Sequence, residues 1–252
     1  MCALSADEIL LASGAAGLRA VSLYTAQLAA YEPNAIRDVY DVAFDAHTDT
    51  LLLLVWEATG NNFQLVSLRR NASEWLEVQR LDTFLNTRAI DMVVCDSRVL
   101  LRGGGGNTLY VLDVSGEHTL CDAGNVSLQS KFYGVACIHR DGVTLVAISQ
   151  DTSVFLLRLT LLPLRLVPLA SASLTDPYHL LFREDLLIVT DWNSFTVSHA
   201  IVSFRVSDNA LSEPLVLLDA QDGVDVRAWA LASDRLVLWN GHSEELRVYA
   251  FT

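Results

Sequence analysis

The chain has 252 residues, of which 52% are hydrophobic and 19% charged, enough apolar side chain for a full core and too much for a disordered or collagen-like polymer. Thirty acidic residues against seventeen basic ones give a formal charge of −13, which disfavours a surface built to neutralise phosphates, so direct nucleic-acid binding is not expected. The longest apolar stretches, 51–56 and 154–169, are short or broken by Arg and Pro; neither is a bilayer span of about 20 residues, and no membrane partner is expected.

From the first residues onward, short apolar runs bounded by Gly, Asn, Asp and Ser follow one another, the pattern of strands and turns. Cys2–Ala6 leads to Asp7, a second run, then Ala20–Tyr24 and Gln27–Tyr31. Val39–Phe44 leads to Asp49, a second run, then Gln64–Leu68 and Trp75–Val78. Ile90–Cys95 and Asp96 precede Leu109–Val114 and His118–Cys121, and Gly134–Ile138 and Asp141 precede Val154–Leu159 and Arg165–Leu169. Tyr178–Phe182 and Asp185 precede Ile201–Val206 and Pro214–Leu218, and Ala228–Ala232 and Asp234 precede Leu246–Phe251, after which no fourth run follows. Only Asp82–Ala89 reads as either a short helix or a loop.

The six Asp residues are separated by 42, 47, 45, 44 and 49 positions. Four strands per unit, a period near 45 and six units predict one all-β domain over 1–252: a propeller of about six four-stranded blades, the last lacking its fourth strand. Each Asp is expected to fix the turn between first and second strands by accepting hydrogen bonds from backbone N–H groups just ahead. Because neither chain end supplies a spare strand, the ring is expected to be open between the first and sixth units, or completed by a partner strand or by further chain.

In this period and strand pattern, over the whole chain, the sequence resembles the WD-repeat-like propeller superfamily. The third strands end as Tyr24-Thr25, Leu68-Arg69, Val114-Ser115, Leu159-Thr160, Val206-Ser207 and Phe251-Thr252, so the Trp-Asp pair of a WD repeat is absent and the resemblance is to a divergent form. It implies an interaction platform.

Chemistry-bearing motifs are sparse. Arg102 to Thr108 is glycine-rich but leads into a strand rather than the helix of a phosphate loop, and reads as a hairpin link. The six His residues, at 47, 118, 139, 179, 199 and 242, show no metal-ligand spacing and are expected in solvated loops. The four cysteines, at 2, 95, 121 and 137, have no close pair and read as buried free thiols in an intracellular protein, as does the lack of basic residues before the first apolar run. First strands would line the central channel with Ala3, Ala43, Val93, Ala136, Leu180 and Ala230, which offer no general base or metal ligand. No catalytic, cofactor or metal residue is therefore assigned, and no cofactor is expected.

Sixteen of the seventeen basic residues are Arg, the residue suited to bidentate interface pairs. The expected function is a non-enzymatic interaction platform or subunit of a multiprotein complex. The expected contact residues are Leu246, Arg247, Val248, Tyr249, Ala250 and Phe251, along the open edge of the sixth blade, with Trp192 and Trp239 as candidates for a ligand groove. Two alternatives stand beside it: a propeller hydrolase or lactonase with a metal in the channel, and an adaptor for an RNA-modifying or RNA-processing complex.

Overall fold

The computed structural model describes residues 1–251 except 26, 32–35, 61, 73, 83–90, 104–105 and 208–209; the 82–89 segment thus lies almost wholly outside the described residues. Six small antiparallel sheets form a six-bladed ring. Blade one is β1 (Cys2–Ala3), β2 (Glu8–Ala12), β3 (Leu18–Ser22) and β4 (Gln27–Tyr31). Blade two is β5 (Val39–Asp45), β6 (Thr50–Glu57), β7 (Asn62–Asn71) and β8 (Glu74–Asp82). Blade three is β9 (Met92–Cys95), β10 (Arg98–Arg102), β11 (Thr108–Val114) and β12 (Leu120–Ser127). Blade four is β13 (Gly134–Arg140), β14 (Val143–Gln150), β15 (Ser153–Leu161) and β16 (Leu164–Ser173). Blade five is β17 (Pro177–Arg183), β18 (Leu186–Asn193) and β19 (Ser198–Ser207), with the short β20 (Ala210–Leu211) and β21 (Leu215–Leu218) both pairing β19. Among the described residues, blade six holds three strands, β22 (Val226–Ala232), β23 (Arg235–Asn240) and β24 (Glu245–Ala250).

The second strands are apolar on both faces because each blade is sandwiched between two others. In β6, Leu51 to Leu54 have no exposed surface, whereas the outer β16 alternates half-buried and exposed residues, as a strand with one wet face must. Side chains from adjacent blades interdigitate in a core cluster at every blade boundary. One such cluster, Ile9 and Val21 with Ala230, Ala232 and Val237, joins the first blade to the sixth. Packing therefore closes the ring there, and the missing fourth strand leaves a gap only at the outer edge of blade six.

The turn aspartates work differently from the expectation. Asp49, Asp96 and Asp141 sit in the left-handed region, with φ of 52°, 49° and 51°, a conformation that Asp and Asn tolerate better than other non-Gly residues. Among the described residues their carboxylates cap no turn N–H. Asp49 and Asp96 point instead at arginines, Asp49 to Arg70 at 3.9 Å and Asp96 to Arg98 at 3.5 Å, as does Asp185 of blade five to Arg205 at 3.5 Å. Backbone carbonyls tie the turns to the third strands, as in Val206 N–H to Asp185 O at 2.6 Å and Phe251 N–H to Asp234 O at 2.9 Å. Of the glycine-rich link between β10 and β11, residues 104–105 lie outside the described residues; Gly103 N–H donates to Thr108 O at 3.0 Å and Gly106 N–H to Gly103 O at 2.8 Å.

Candidate active site at the channel mouth

The six inner strands, β1, β5, β9, β13, β17 and β22, line the channel, and their two ends differ in chemistry. Toward their C-terminal ends they enclose a cavity of about 310 Å³ walled by Ala3, Ala43, Val93, Ala136, Leu180 and Ala230 among other apolar side chains, as expected for the channel. Toward their N-terminal ends a second cavity, also about 310 Å³, is bordered by Asp41, Asp91, His179 and Arg227. It adjoins a third of about 430 Å³, lined by Asp176, Tyr178, His179, Trp192, His199, Asp225, Val226 and Arg227. His179 and Arg227 belong to both. The expectation of a channel without a general base is thus wrong for this end.

Backbone contacts between neighbouring inner strands position these groups. Gly134 begins β13 where the Tyr178 carbonyl lies so close that a Cβ would collide with it. Ser149 Oγ completes the junction, accepting from Gly134 N–H at 2.8 Å and donating to Tyr178 O at 3.0 Å. With Tyr178 held, the next residue, His179, is fixed at the mouth, and its own N–H donates to Thr190 Oγ1 at 2.9 Å. Gly241 has an equivalent role at blade six, since a Cβ there would strike Asp225 Oδ2 and the Arg227 side chain. Its absence leaves room for the Arg227 Nε to Asp225 Oδ2 pair at 2.7 Å.

His179 and His199 are strand residues, half-buried and buried respectively, not loop histidines. Burial pushes both imidazoles down to about 4, because a charged ring is disfavoured away from water; both are neutral at pH 7. The Val226 backbone lies between them: its N–H donates to His199 Nδ1 at 3.2 Å, and it hydrogen-bonds His179. Asp225 Oδ1 stands 3.7 Å from His199 Nδ1. Burial raises the carboxyls of Asp41 and Asp91 above the usual carboxylate range; Asp91 also raises Asp41, while Arg102, with Nε 3.5 Å from Asp91 Oδ2, opposes the rise at Asp91. Asp41 accepts from the N–H groups of Val42 and Met92 at 2.9 and 3.0 Å.

Shifted ionisable groups gathered around a cavity mark a site for proton transfer or charged ligands. A metal does not fit them. Among the described residues no three His, Cys, Asp or Glu side chains converge on one point, and the closest donors are engaged, His199 Nδ1 by Val226 and Asp225 by Arg227.

The other expected positions are scattered. Trp192 reaches the mouth, its ring 4.8 Å from that of His199, whereas Trp239 borders a separate groove between blades one and six with Leu246 and Val248. Leu246 to Ala250 form β24, with Val248 49% exposed, and Phe251 follows it, stacked under the Arg183 guanidinium at 4.2 Å. Of the cysteines, Cys121 is exposed and the other three half-buried, all free, so uniform burial is not observed. Asp41, Asp91, His179 and Arg227 were legible in one respect: each falls just before or within the first three residues of a first-strand run.

No family profile matches the chain, and no curated protein matches it. Solved structures do. A "putative 6-phosphogluconolactonase" from Bacteroides uniformis is 12% identical with a TM-score of 0.70, covering 98% of this chain and 79% of that one. A second, from Bacteroides fragilis, is 10% identical with a TM-score of 0.66 over 97% and 78%. A chain of a nidogen/laminin complex is 10% identical with a TM-score of 0.66 over 96% and 89%. These likenesses establish the propeller fold. The expectation of a non-enzymatic protein is corrected here: the fold is shared with proteins named as lactonases, and the channel mouth carries the ionisable groups that the sequence reading denied it.

Proposed function

We propose that the chain is a hydrolase of carboxylic esters or lactones working at the N-terminal mouth of the channel. The observation that carries this reading is the pair His179 and Arg227, on neighbouring blades and shared by two adjoining cavities. Water adds to the carbonyl carbon while neutral His179 takes its proton; negative charge gathers on the carbonyl oxygen, facing the Arg227 guanidinium. When the C–O bond breaks, His179 returns the proton to the leaving alkoxide, giving acid and alcohol. Asp225 orients Arg227, and His199 and Val226 hold the wall behind His179. The test is hydrolysis of phenyl acetate and of an uncharged lactone, δ-gluconolactone, by purified protein. We expect turnover that falls about 100-fold in H179Q; an inactive wild type, or H179Q at wild-type rates, overturns the reading.

A second reading rests on the three-stranded sixth blade. We infer that the blades are divergent WD-like repeats and that a protein partner adds an extended strand along β24, gaining main-chain hydrogen bonds at an edge that five other blades keep covered. Slow hydrogen exchange at 246–251 in the isolated chain would argue that no such site exists.

A further inference from the structure

The 430 Å³ cavity beside His179 has walls that the hydrolytic chemistry does not require. His179, His199 and Trp192 line it as a run of rings with successive centroids 6.3 and 4.8 Å apart, and Trp229, which borders the neighbouring 310 Å³ cavities instead, continues the run 6.2 Å from His179. Tyr178 lies edge-on to His179 at 5.1 Å and is backed by a stacked Tyr133 at 5.8 Å. The two imidazoles are uncharged at neutral pH, so they contribute neutral aromatic rings rather than cations to the lining. The charges on this wall sum to a negative site. Arg227 is neutralised by Asp225 at 2.7 Å. That leaves Asp176, whose carboxyl is raised by burial and by the neighbouring Asp191. Asp191 Oδ1 accepts from the N–H of Thr175 at 3.0 Å and of Asp176 at 2.7 Å, which holds the second carboxylate against the first.

Aromatic faces around a cavity with surplus carboxylate are the environment that attracts a weakly hydrated cation, because ring quadrupole and anion act in the same sense. An anionic substrate would meet repulsion from the same wall. We propose that this cavity binds a substituted ammonium group, placing the carbonyl of a cationic ester at His179 and Arg227. The ester part rests on the hydrolase reading; the cation part does not, and the two separate experimentally.

Intrinsic tryptophan fluorescence is titrated with tetramethylammonium and choline, and in parallel with 3,3-dimethylbutan-1-ol, the uncharged isostere of choline, and with benzoate. The expected result is saturable quenching by both cations, with the isostere and benzoate binding at least about 10-fold more weakly, as a desolvated cation–π contact implies. W192F should keep cation binding and W192L lose about 10-fold; D176N should weaken the cations about 5-fold while leaving the isostere unchanged. Melting curves of each variant show that it is folded. Equal binding of cation and isostere, or preference for benzoate, overturns the proposal. If cations bind but no ester is cleaved, the hydrolase reading falls and the cation site stands; if acetylcholine and its uncharged analogue are cleaved equally, the cation site falls and the hydrolase stands.

Discussion

The two ends of the channel are made by the same six strands, yet one is a dry wall and the other a polar mouth. On β5 the change takes two residues, from Asp41 to Ala43; on β17 it takes one, from His179 to Leu180; on β22 it takes three, from Arg227 to Ala230. Mid-strand positions are enclosed by flanking blades, so only small or apolar side chains fit, and Ala136 and Ala230 are 3% exposed. At the strand starts the hydrogen-bonded ladder begins, N–H groups such as those of Val42 and Met92 can satisfy a carboxylate, and cavity space admits a ring or a guanidinium. Position along the strand, not strand identity, decides which chemistry is tolerated.

The harshest way to break this contrast is to move a charge into the dry half. Ala136→Asp should cost about 4 kcal/mol or more, since an unpaired buried ion has neither ladder N–H nor counter-ion there; chemical denaturation measures it, and a cost under about 1 kcal/mol would show that the wall is wetter than its side chains imply. The converse experiment removes the polar end's own chemistry. H179Q should lower kcat/KM about 100-fold, near 2.7 kcal/mol of barrier, and leave the melting temperature within about 3 °C.

The pH dependence sharpens the contrast, because the neutral histidines belong to the mouth alone. His179 and His199 stay neutral in the fold down to about 4, whereas in the unfolded chain they protonate near 6.5. Between those values the unfolded state binds more protons, so stability from these groups is complete above about pH 6.5 and is lost as pH falls toward 4. Replacing His199 with Gln should flatten that slope; an unchanged slope would place its source elsewhere, since the raised carboxyls of Asp41 and Asp91 act in the opposite sense, losing stability as pH rises through their elevated values.

The smallest effect lies at the turns that crown the apolar end. Asp96→Asn keeps a residue tolerant of positive φ and removes only part-exposed charge contacts with Arg98 at 3.5 Å and His139 at 3.4 Å, so the change should stay within about 0.5 kcal/mol. Asp96→Ala should cost about 1 kcal/mol more through the left-handed backbone. Equal effects would show that the ion pair, not the backbone, sets the turn.

The sequence by itself determined the blades. A strand needs only its own residues and its turn to declare itself, so the period near 45, the run Leu51–Trp56 and the Asp of each hairpin were enough to place six units and to leave the last one a strand short. Gln27–Tyr31 and Leu109–Val114 fall within a residue of the observed strands. The mode of action of the turn aspartates was not legible, because a carboxylate can serve a turn by hydrogen bond or by tolerating positive φ, and only the backbone tells them apart.

The mouth was decided by tertiary structure alone. Asp41 and Arg227 are 186 positions apart, and each looks like an isolated polar residue at the edge of an apolar run. They meet because the ring brings every first strand to one axis and sets their starting residues at one level. Closure of the ring was equally invisible, since the cluster of Ile9 and Val21 with Ala230 and Val237 joins the two ends of the chain. Burial, which makes the His179 and His199 imidazoles neutral and sets His199 between His179 and Trp192, is a property of that assembled axis, and no local spacing of residues encodes it.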